Sequence, residues 1–295
     1  MSLWLSNKMN IMRKNLVIWG LVVCSPFIGA CNDDTPIAPP LDEGSYGEYE
    51  LVWSEEFDND GLPDSETWVY EQGYMRNNES QDYKVADLKY SCIEDGRLIL
   101  TAYTDPHVEG THTFGHSSAS ITTKKKVGFQ YGRIDISAKL PKGRGIWPAL
   151  WMRPTENRFD GAYAEIDIME HVWGSDPNHG MVIATIHNQD SWDKKYDDSE
   201  QLRSMSIFSP TLNTEFHLYS LVWTETQIDI LFDNELVLTF EKLRDDYKHW
   251  PFDQPFFLIL NVAVGGSWGG SWGIAETIFP QRMEVDYIRY YKKME

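Results

Sequence analysis

The stretch QIDILFDNELVLTFE, residues 227–241, holds two apolar segments separated by Asp233 and Asn234. Ile, Leu, Val and Phe dominate both segments, and such residues pack well on a half-buried strand. Asp and Asn tolerate the left-handed backbone that a two-residue turn requires. The stretch therefore predicts a β-hairpin with Asp233 and Asn234 at its turn.

Similar strand-like segments recur along the chain, whereas helical periodicity with capping residues is scarce. They are bounded by Gly, Pro, Asn or Asp, and they span residues 96–103, 132–140, 181–188 and 217–224. No internal repeat or second linker is found after residue 49, so residues 49–295 are predicted to form one domain. Many antiparallel strands in such a domain predict an all-β, two-sheet sandwich or jelly roll with a concave face for an extended ligand.

AEIDIMEH, residues 164–171, places three carboxylates close together: Glu165, Asp167 and Glu170. In a helix they would point in different directions. In a regular strand the first two share a face, and Glu170 would join the buried isoleucines on the other face. Because a buried ionised carboxylate is costly without a partner, we expect a β-bulge near Met169, which returns Glu170 to the face of the other two.

Two carboxyl groups on one cleft face, about 5–5.5 Å apart, suit retaining glycoside hydrolysis. One attacks the anomeric carbon while the other, protonated, donates to the departing oxygen, and water later reverses the first step. A third carboxylate between them raises the proton affinity of its neighbours or shares a hydrogen bond with the nucleophile. Since the chain has 45 acidic residues, this spacing also arises by chance, and its context must decide.

The N-terminus has the layout of a secretory signal, with basic residues before an apolar run at residues 16–27. This run is too short to span a bilayer, which needs about 20 residues as a helix. Either Met1 or Met12 suits as the start of the signal.

The signal ends in IGAC, residues 28–31, which resembles the lipobox of bacterial lipoproteins. The resemblance implies a signal peptide at residues 1–31 and a lipidated Cys31; the alternative is an ordinary cleaved signal beside a cysteine. Residues 32–48 are acidic and proline-rich, which predicts a disordered tether. Their acidic start resembles the export signal of Bacteroidetes surface lipoproteins. We therefore expect a lipid-anchored protein in the cell envelope, at the outer-membrane surface of a Gram-negative bacterium.

Composition limits the partners. The net charge of −19 argues against nucleic acid and, more weakly, against sulfated polysaccharides. With Cys24 in the signal and Cys31 lipidated, Cys92 has no partner, so no intrachain disulfide is expected. Most of the twelve Trp residues follow residue 31, and they either stack on sugars or fill the core. We expect a monomer that meets the membrane only through its lipid.

Several separated motifs, in one order, resemble glycoside hydrolase family 16, in particular its laminarinase-like β-glucanases. They are EIDIME (165–170), GRGIWPALWM (143–152), PFFLILNVAVGGSWGG (255–270) and MEVDYIRYY (283–291). The similarity runs from about Leu51 to Tyr291. It implies a concanavalin A-like sandwich and no catalytic cofactor.

The same resemblance implies roles for the three carboxylates. Glu165 would be the nucleophile, Glu170 the general acid/base and Asp167 their auxiliary. The six-residue motif with Met169 is similar to the bulged branch of the family, which includes laminarinases, agarases, carrageenases and porphyranases.

Two tryptophans and a histidine are implied at the centre. Trp147 and Trp151 share a strand face by parity and border the catalytic site in the family, with a purely core position for one of them as the alternative. His187 stands where laminarinase-like enzymes have a histidine on the leaving-group side; a structural His is the alternative.

Two loops are implied to hold sugar. RNNES resembles the family's asparagine-bearing loop beside the nucleophile, which makes Asn77 or Asn78 a candidate ligand, with turn formation as the alternative. Trp268 lies in a glycine-rich loop that clamps sugar in this family, unless the glycines serve only backbone turns. Many relatives carry a substrate-contacting Arg where this chain has Ser120, which leaves the donor-side contacts open.

A structural calcium ion is also implied by the resemblance. Its ligands would be backbone oxygens near Glu56 and Gly96 and the side chain of Asp286, and oxygen ligands suit this ion. Alternatively, Asp286 only pairs with Arg289.

We expect a retaining endo-β-glucanase that cleaves β-1,3-glucan of the laminarin type or mixed-linkage β-1,3/1,4-glucan, with transglycosylation chemically open. One alternative is a non-catalytic surface protein that binds glycan, but both Glu165 and Glu170 are present, which favours an enzyme. The other is the same mechanism on an agar-type galactan, against which the negative charge and the laminarinase-like segments argue. The sequence does not choose between the glucans.

Overall fold

Strands dominate the computed structural model, which describes residues 49–156, 158–173, 180–195 and 201–294. The described strands are β1 (Tyr49–Glu55), β2 (Val69–Tyr70), β3 (Gln81–Tyr83), β4 (Ser91–Glu94), β5 (Arg97–Glu109), β6 (His112–Ser118), β7 (Ser120–Thr122), β8 (Gly132–Lys139), β9 (Ile146–Pro154), β10 (Ala164–Glu170), β11 (Met181–Asn188), β12 (Ser204–Phe208), β13 (His217–Trp223), β14 (Gln227–Phe232), β15 (Glu235–Glu241), β16 (Phe256–Val264) and β17 (Gln281–Lys293). A short helix, α1 (Gln189–Trp192), and two 3-10 turns, Phe159–Gly161 and Glu276–Ile278, are the described helical elements.

The strands form two sheets. A ten-stranded sheet has the order β15-β14-β13-β8-β17-β5-β6-β3, with β1 also paired to β17 and β4 to β5. A seven-stranded sheet has the order β12-β11-β10-β9-β16-β7-β2. The pairing of β3 with β6 is parallel, and the neighbours in the seven-stranded sheet are antiparallel. The predicted all-β two-sheet sandwich is confirmed.

The hairpin at residues 227–241 forms as predicted. β14 pairs antiparallel with β15, and Asp233 and Asn234 both adopt positive φ, at 48° and 64°. Such angles match the twist of the flanking strands. The other four predicted segments become β5, β8, β11 and β13, although β5 continues past residue 103 to Glu109.

The apolar face of β10 anchors this strand in the core. Ile166 and Ile168 are almost completely buried and belong to the same apolar cluster as Ile136 and Leu221 of the ten-stranded sheet. Burial of one such side chain contributes roughly 1.5–3 kcal/mol. The strand that carries the three carboxylates is therefore held in place by the packing of its opposite face in the core.

The predicted signal peptide (1–31) and tether (32–48), with Cys31, lie outside the described residues. In the part of the chain that is described, no helix has the length and apolar character needed to cross a membrane. Cys92 is a free thiol there.

Candidate active site

β10 carries a bulge just before Glu170. Its register with β9 steps from Asp167 opposite Trp151 to Met169 opposite Leu150, so β10 has one extra residue at this point. The pairing with β11 shifts at the same place. Met169 is buried, whereas Glu170 lines the same cleft as the other two carboxylates. The bulge expected from the sequence is confirmed.

Side chains on one face of the seven-stranded sheet line a cleft of about 900 Å³, a size typical of ligand sites. β9, β10, β11 and β16 provide its floor, and loops provide its walls. The structure brings together eight of the residues expected in catalysis or sugar binding, namely Asn77, Trp147, Trp151, Glu165, Asp167, Glu170, His187 and Trp268.

Glu165 is held by two donors that meet the same oxygen. The Tyr163 hydroxyl donates to its Oε2 at 3.0 Å, and Arg153 Nη1 donates to that atom at 3.2 Å. The Arg153 guanidinium also lies over the Tyr163 ring, 4.6 Å from its centroid. Burial, and then the nearby Glu165 charge, raise the pKa of Tyr163 well above its usual value, so its hydroxyl remains a donor.

Asp167 is buried beside Glu165. Burial, and to a lesser extent the Glu165 charge, raise the pKa of Asp167 well above its usual range. The Arg153 charge lowers this pKa and so opposes the rise. His187 Nε2 lies 3.1 Å from Asp167 Oδ2, yet that oxygen has no hydrogen-bond partner of proper geometry. The distance therefore records a close polar contact and not a hydrogen bond.

Glu170 occupies a different environment from Glu165. The indole N–H of Trp147 donates to its Oε1 at 3.0 Å. Burial, and then the Asp167 and Glu165 charges, raise the pKa of Glu170 well above its usual range, and the Trp147 bond opposes this rise. Glu165 thus has a cationic partner, Arg153, whereas the raised pKa of Glu170 favours its protonated form. Such a difference between two carboxyl groups is typical of separate nucleophile and acid roles.

The aromatic walls are built by Trp147, Trp151 and Trp268. Trp151 Nε1 donates to Asn261 Oδ1 at 2.8 Å, and Trp268 packs edge-on against Trp147, with 5.3 Å between ring centroids. Both strand tryptophans are mostly buried and still line the cleft, so neither is purely a core residue.

The Asn77 loop meets the glycine-rich loop at the cleft rim. Asn77 has a φ of 58°, its Nδ2 donates to Glu79 Oε1 at 3.1 Å, and its carbonyl accepts from Ser267 N–H at 2.8 Å. A Cβ on Gly266 would lie 3.0 Å from Glu79 Cγ and 3.1 Å from the Asn77 carbonyl oxygen. Glycine is therefore needed for close approach. Asn78 is not among the lining residues.

An arginine enters the cleft wall from a position that sequence reasoning missed. Ser120 Oγ donates to Glu71 Oε2 at 2.7 Å, and the other oxygen of Glu71 pairs with Arg76. The Arg76 guanidinium lies 4.9 Å from the Trp151 ring centroid. A guanidinium thus reaches the cleft from residue 76 and not from residue 120. The available signal was its place beside Asn77 in RNNES.

The partners of Glu165 were also missed. Arg153 follows Trp151 by two residues in β9, and Tyr163 precedes Glu165 by two. Strand parity, with its period of two residues, was a signal for both.

The predicted calcium ligands lie away from this cleft. Arg289 donates to both carboxylate oxygens of Glu56, at 3.0 and 2.9 Å. Its hydrogen-bonded carboxylate partner is therefore Glu56, whereas the alternative interpretation had paired Arg289 with Asp286. The pKa of Asp286 is raised, chiefly by burial, and the one hydrogen bond described for its carboxylate is a long one, 3.5 Å from Ser137 Oγ. A half-buried carboxylate of this kind fits the oxygen preference of Ca²⁺.

Two further clusters have the residue types of a metal site. The potential ligand atoms of Glu165, Asp167 and His187 lie within 4.8 Å of one another, as do those of a second set formed by Asp82, His107 and Glu109. A basic side chain of the protein pairs with each cluster. Arg153 pairs with Glu165 in the first, and Lys84 pairs with Asp82 in the second.

Comparison with known proteins gives concordant matches. The family model of Glycosyl hydrolases family 16 matches residues 67–289. A β-glucanase of Rhodothermus marinus is 43% identical over 259 residues, which cover 84% of this chain and 86% of that protein.

Solved structures agree. A laminarinase from Rhodothermus marinus superposes with a TM-score of 0.75 at 40% identity, covering 84% of this chain and 99% of that one. A variant of a non-specific endo-β-1,3(4)-glucanase from the same family superposes with a TM-score of 0.74 at 33% identity, covering 83% and 95%. That structure presents 1,3-β-D-cellobiosyl-glucose at its active site.

Proposed function

The chain belongs to glycosyl hydrolases family 16, and on this premise we propose that it is a retaining endo-β-glucanase acting on β-1,3-glucan or mixed-linkage β-1,3/1,4-glucan. Enzymes of this family are retaining hydrolases that need no catalytic cofactor. One observation carries the proposal: the β10 bulge turns Glu165 and Glu170 into one cleft, where they have different partners. Relatives that are β-glucanases and laminarinases support the substrate class.

Glu165 is the nucleophile in this proposal. Tyr163 and Arg153 both bond its Oε2, so among the described residues Oε1 is the oxygen left for the anomeric carbon. Attack forms a glycosyl ester, and its inverted centre is inverted again by water, which gives net retention. The two donors fix the carboxylate in a single orientation, which lowers the entropy cost of attack.

Glu170 is the general acid and then the general base. Its raised pKa keeps the proton that the departing oxygen needs, and after departure the carboxylate takes a proton from water. Asp167, between them on β10, favours the protonated form of Glu170 whenever it is itself ionised. His187 contacts Asp167, with its Nε2 3.1 Å from Asp167 Oδ2.

The aromatic and amide groups of the cleft bind the sugar chain. Trp147, Trp151 and Trp268 offer ring surface that suits apolar sugar faces, and the amide of Asn77 offers hydrogen bonds to hydroxyl groups. The trisaccharide held by the homologous glucanase supports an oligoglucoside in this cleft.

Incubation with four polysaccharides tests this function. Purified protein is expected to release soluble oligosaccharides from laminarin, lichenan or barley mixed-linkage glucan, and none from agarose. Chromatography of early products would show a range of sizes, as internal cleavage requires. Activity on agarose alone would overturn the glucan assignment, and binding to all glucans without product would support the non-catalytic alternative.

Trp147→Phe tests the proton-donor role through pH. The indole N–H donates to Glu170 Oε1, and this bond stabilises the ionised form of Glu170. The substitution removes the bond, so the pKa of Glu170 rises further. Since Glu170 must be protonated to act, kcat/KM falls as pH rises through this pKa, and the alkaline limb is expected to move upward by roughly one to two pH units.

The matched control for this shift is Trp268→Phe, which alters the neighbouring indole but no bond to Glu170. Its overall rate is expected to fall without movement of the alkaline limb. An alkaline limb of Trp147→Phe that stays fixed or moves to lower pH would contradict the acid role of Glu170.

Two further parts of the proposal concern the envelope and calcium. We propose that lipid on Cys31 anchors the enzyme at the outer-membrane surface; the lipobox-like IGAC supports this, and membrane association that persists in Cys31→Ser would refute it.

We also propose a structural Ca²⁺ near Glu56, Gly96 and Asp286; a melting temperature that does not respond to a calcium chelator would refute it.

A further inference from the structure

Trp192 is an exposed indole on the rim of the cleft. It is 64% exposed and lines the same cleft as the catalytic carboxylates. Tryptophan is seldom left so open, because burying its large apolar surface is favourable. Since this indole lines the cleft, its open surface is placed where a bound ligand can contact it.

The surroundings of Trp192 fix one of its faces and leave the other open. Its ring stacks on Tyr163 with 4.5 Å between centroids and 17° between planes. The Arg153 guanidinium also lies over the Tyr163 ring, 4.6 Å from its centroid. Because Tyr163 also donates to Glu165, this stack runs outward from the nucleophile and ends in the free face of Trp192.

The short helix α1 holds Trp192 rigidly. The Asn188 side chain caps α1 by accepting from Ser191 N–H at 2.9 Å, and its amide donates to the His249 carbonyl at 2.9 Å. The Gln189 side chain accepts from Tyr163 N–H at 2.8 Å. A surface that is ordered before the ligand arrives loses less entropy on binding.

The position of α1 indicates which part of a bound glucan chain would contact the Trp192 ring. α1 directly follows β11, whereas the Asn77 loop bonds the end of β16 through Ser80 N–H and the Val264 carbonyl. In the sheet, β11 and β16 lie on opposite sides of β10. Trp192 therefore lies on the His187 side, which the family resemblance implies to be the leaving-group side.

We propose that Trp192 is a stacking platform for a β-glucosyl unit of the leaving-group part of the chain, beyond the unit next to the cleaved bond. This rests on the proposed function. A flat apolar face suits the axial C–H face of a β-linked glucose, and a glucan that continues from the cleft passes over it. The platform makes long chains better substrates than those whose leaving group is a single small ring.

The test compares two substrates. Laminarihexaose reaches the platform, whereas a nitrophenyl β-laminaribioside has a leaving group that fills only the first position. Trp192→Ala is expected to lower kcat/KM for the hexasaccharide about tenfold and to leave that for the aryl glycoside within about twofold. Trp192→Phe, which keeps a flat ring, is expected to recover most of the hexasaccharide rate.

Phe208→Ala is the matched control, since Phe208 is an exposed aromatic (59%) on the neighbouring β12 outside the cleft lining; neither rate should change. Unchanged melting temperatures would show that all variants fold. Equal losses on both substrates, or no loss on the hexasaccharide, would overturn the platform. A wild-type enzyme that cleaves neither of these substrates and releases no product from lichenan or barley glucan would instead overturn the proposed function, and the platform with it.

Discussion

Glu165→Gln is expected to abolish glucan hydrolysis, with kcat reduced by at least about a thousandfold. An amide cannot form the glycosyl ester, and the remaining cleft groups only bind and position the sugar. The amide can still accept from Tyr163 and Arg153 at the same site, so folding and oligosaccharide affinity should persist. Reducing-sugar release from laminarin and calorimetric binding of a laminari-oligosaccharide measure the two effects separately.

A matched change on the other sheet controls for this loss. Glu235→Gln alters an exposed glutamate at the start of β15, which belongs to the other sheet and does not line the cleft, and should leave hydrolysis as in the wild type. Near-normal hydrolysis by Glu165→Gln would remove it from the role of nucleophile.

Glu170→Gln is expected to lose activity according to the leaving group. A positioned general acid contributes about 10²–10⁴-fold, and kcat/KM on laminarin should fall by that order. With an activated aryl β-glucoside, whose leaving group departs without a proton, kcat/KM should remain near the wild-type value. Turnover will then be slow at the second step because water lacks its base, and azide, which needs none, should restore it.

The azide product gives a second check on this carboxyl group. A β-configured glycosyl azide is expected from Glu170→Gln, whereas the wild type should form none. Equal losses on polymer and activated substrate, with no response to azide, would refute the acid/base role.

Local sequence signals predicted the strands and the bulge for a clear physical reason. Strand side chains alternate with a period of two, so the position of Glu170 conflicted with the buried Ile166 and Ile168, and one extra residue resolves that conflict. The turn at Asp233 and Asn234 followed from backbone preferences alone. Each of these features depends on residues within a few positions of one another.

The cleft side chains that come from other segments of the chain depended on long-range geometry and were not predicted. Arg153 comes from a neighbouring strand, and the sequence does not fix the register of that strand. Trp192 comes from the short helix α1 after β11, whose start depends on the capping by Asn188. Arg76 reaches the Trp151 ring through its pairing with Glu71, a contact between two loop segments. Parity indicates which side of a sheet a residue faces, but not which loop side chains lie over it.

The parallel pairing of β3 with β6 was likewise outside the prediction of antiparallel sheets. β3 is only three residues long, and its sequence has too few positions to show a period. Its place is set by long-range contacts, such as the Ser80 carbonyl that accepts from Gly115 N–H at 3.1 Å.

Trapping of the glycosyl-enzyme tests the central claim most directly, namely that the bulged strand presents Glu165 to the anomeric carbon opposite the acid Glu170. A 2-deoxy-2-fluoro-β-laminaribiosyl substrate with an activated leaving group slows the second step, so the ester accumulates and can be located by mass spectrometry of peptic fragments. We predict one adduct per protein, on Glu165. An adduct on Asp167 or Glu170, or no adduct together with a first product of inverted anomeric configuration, would contradict the account.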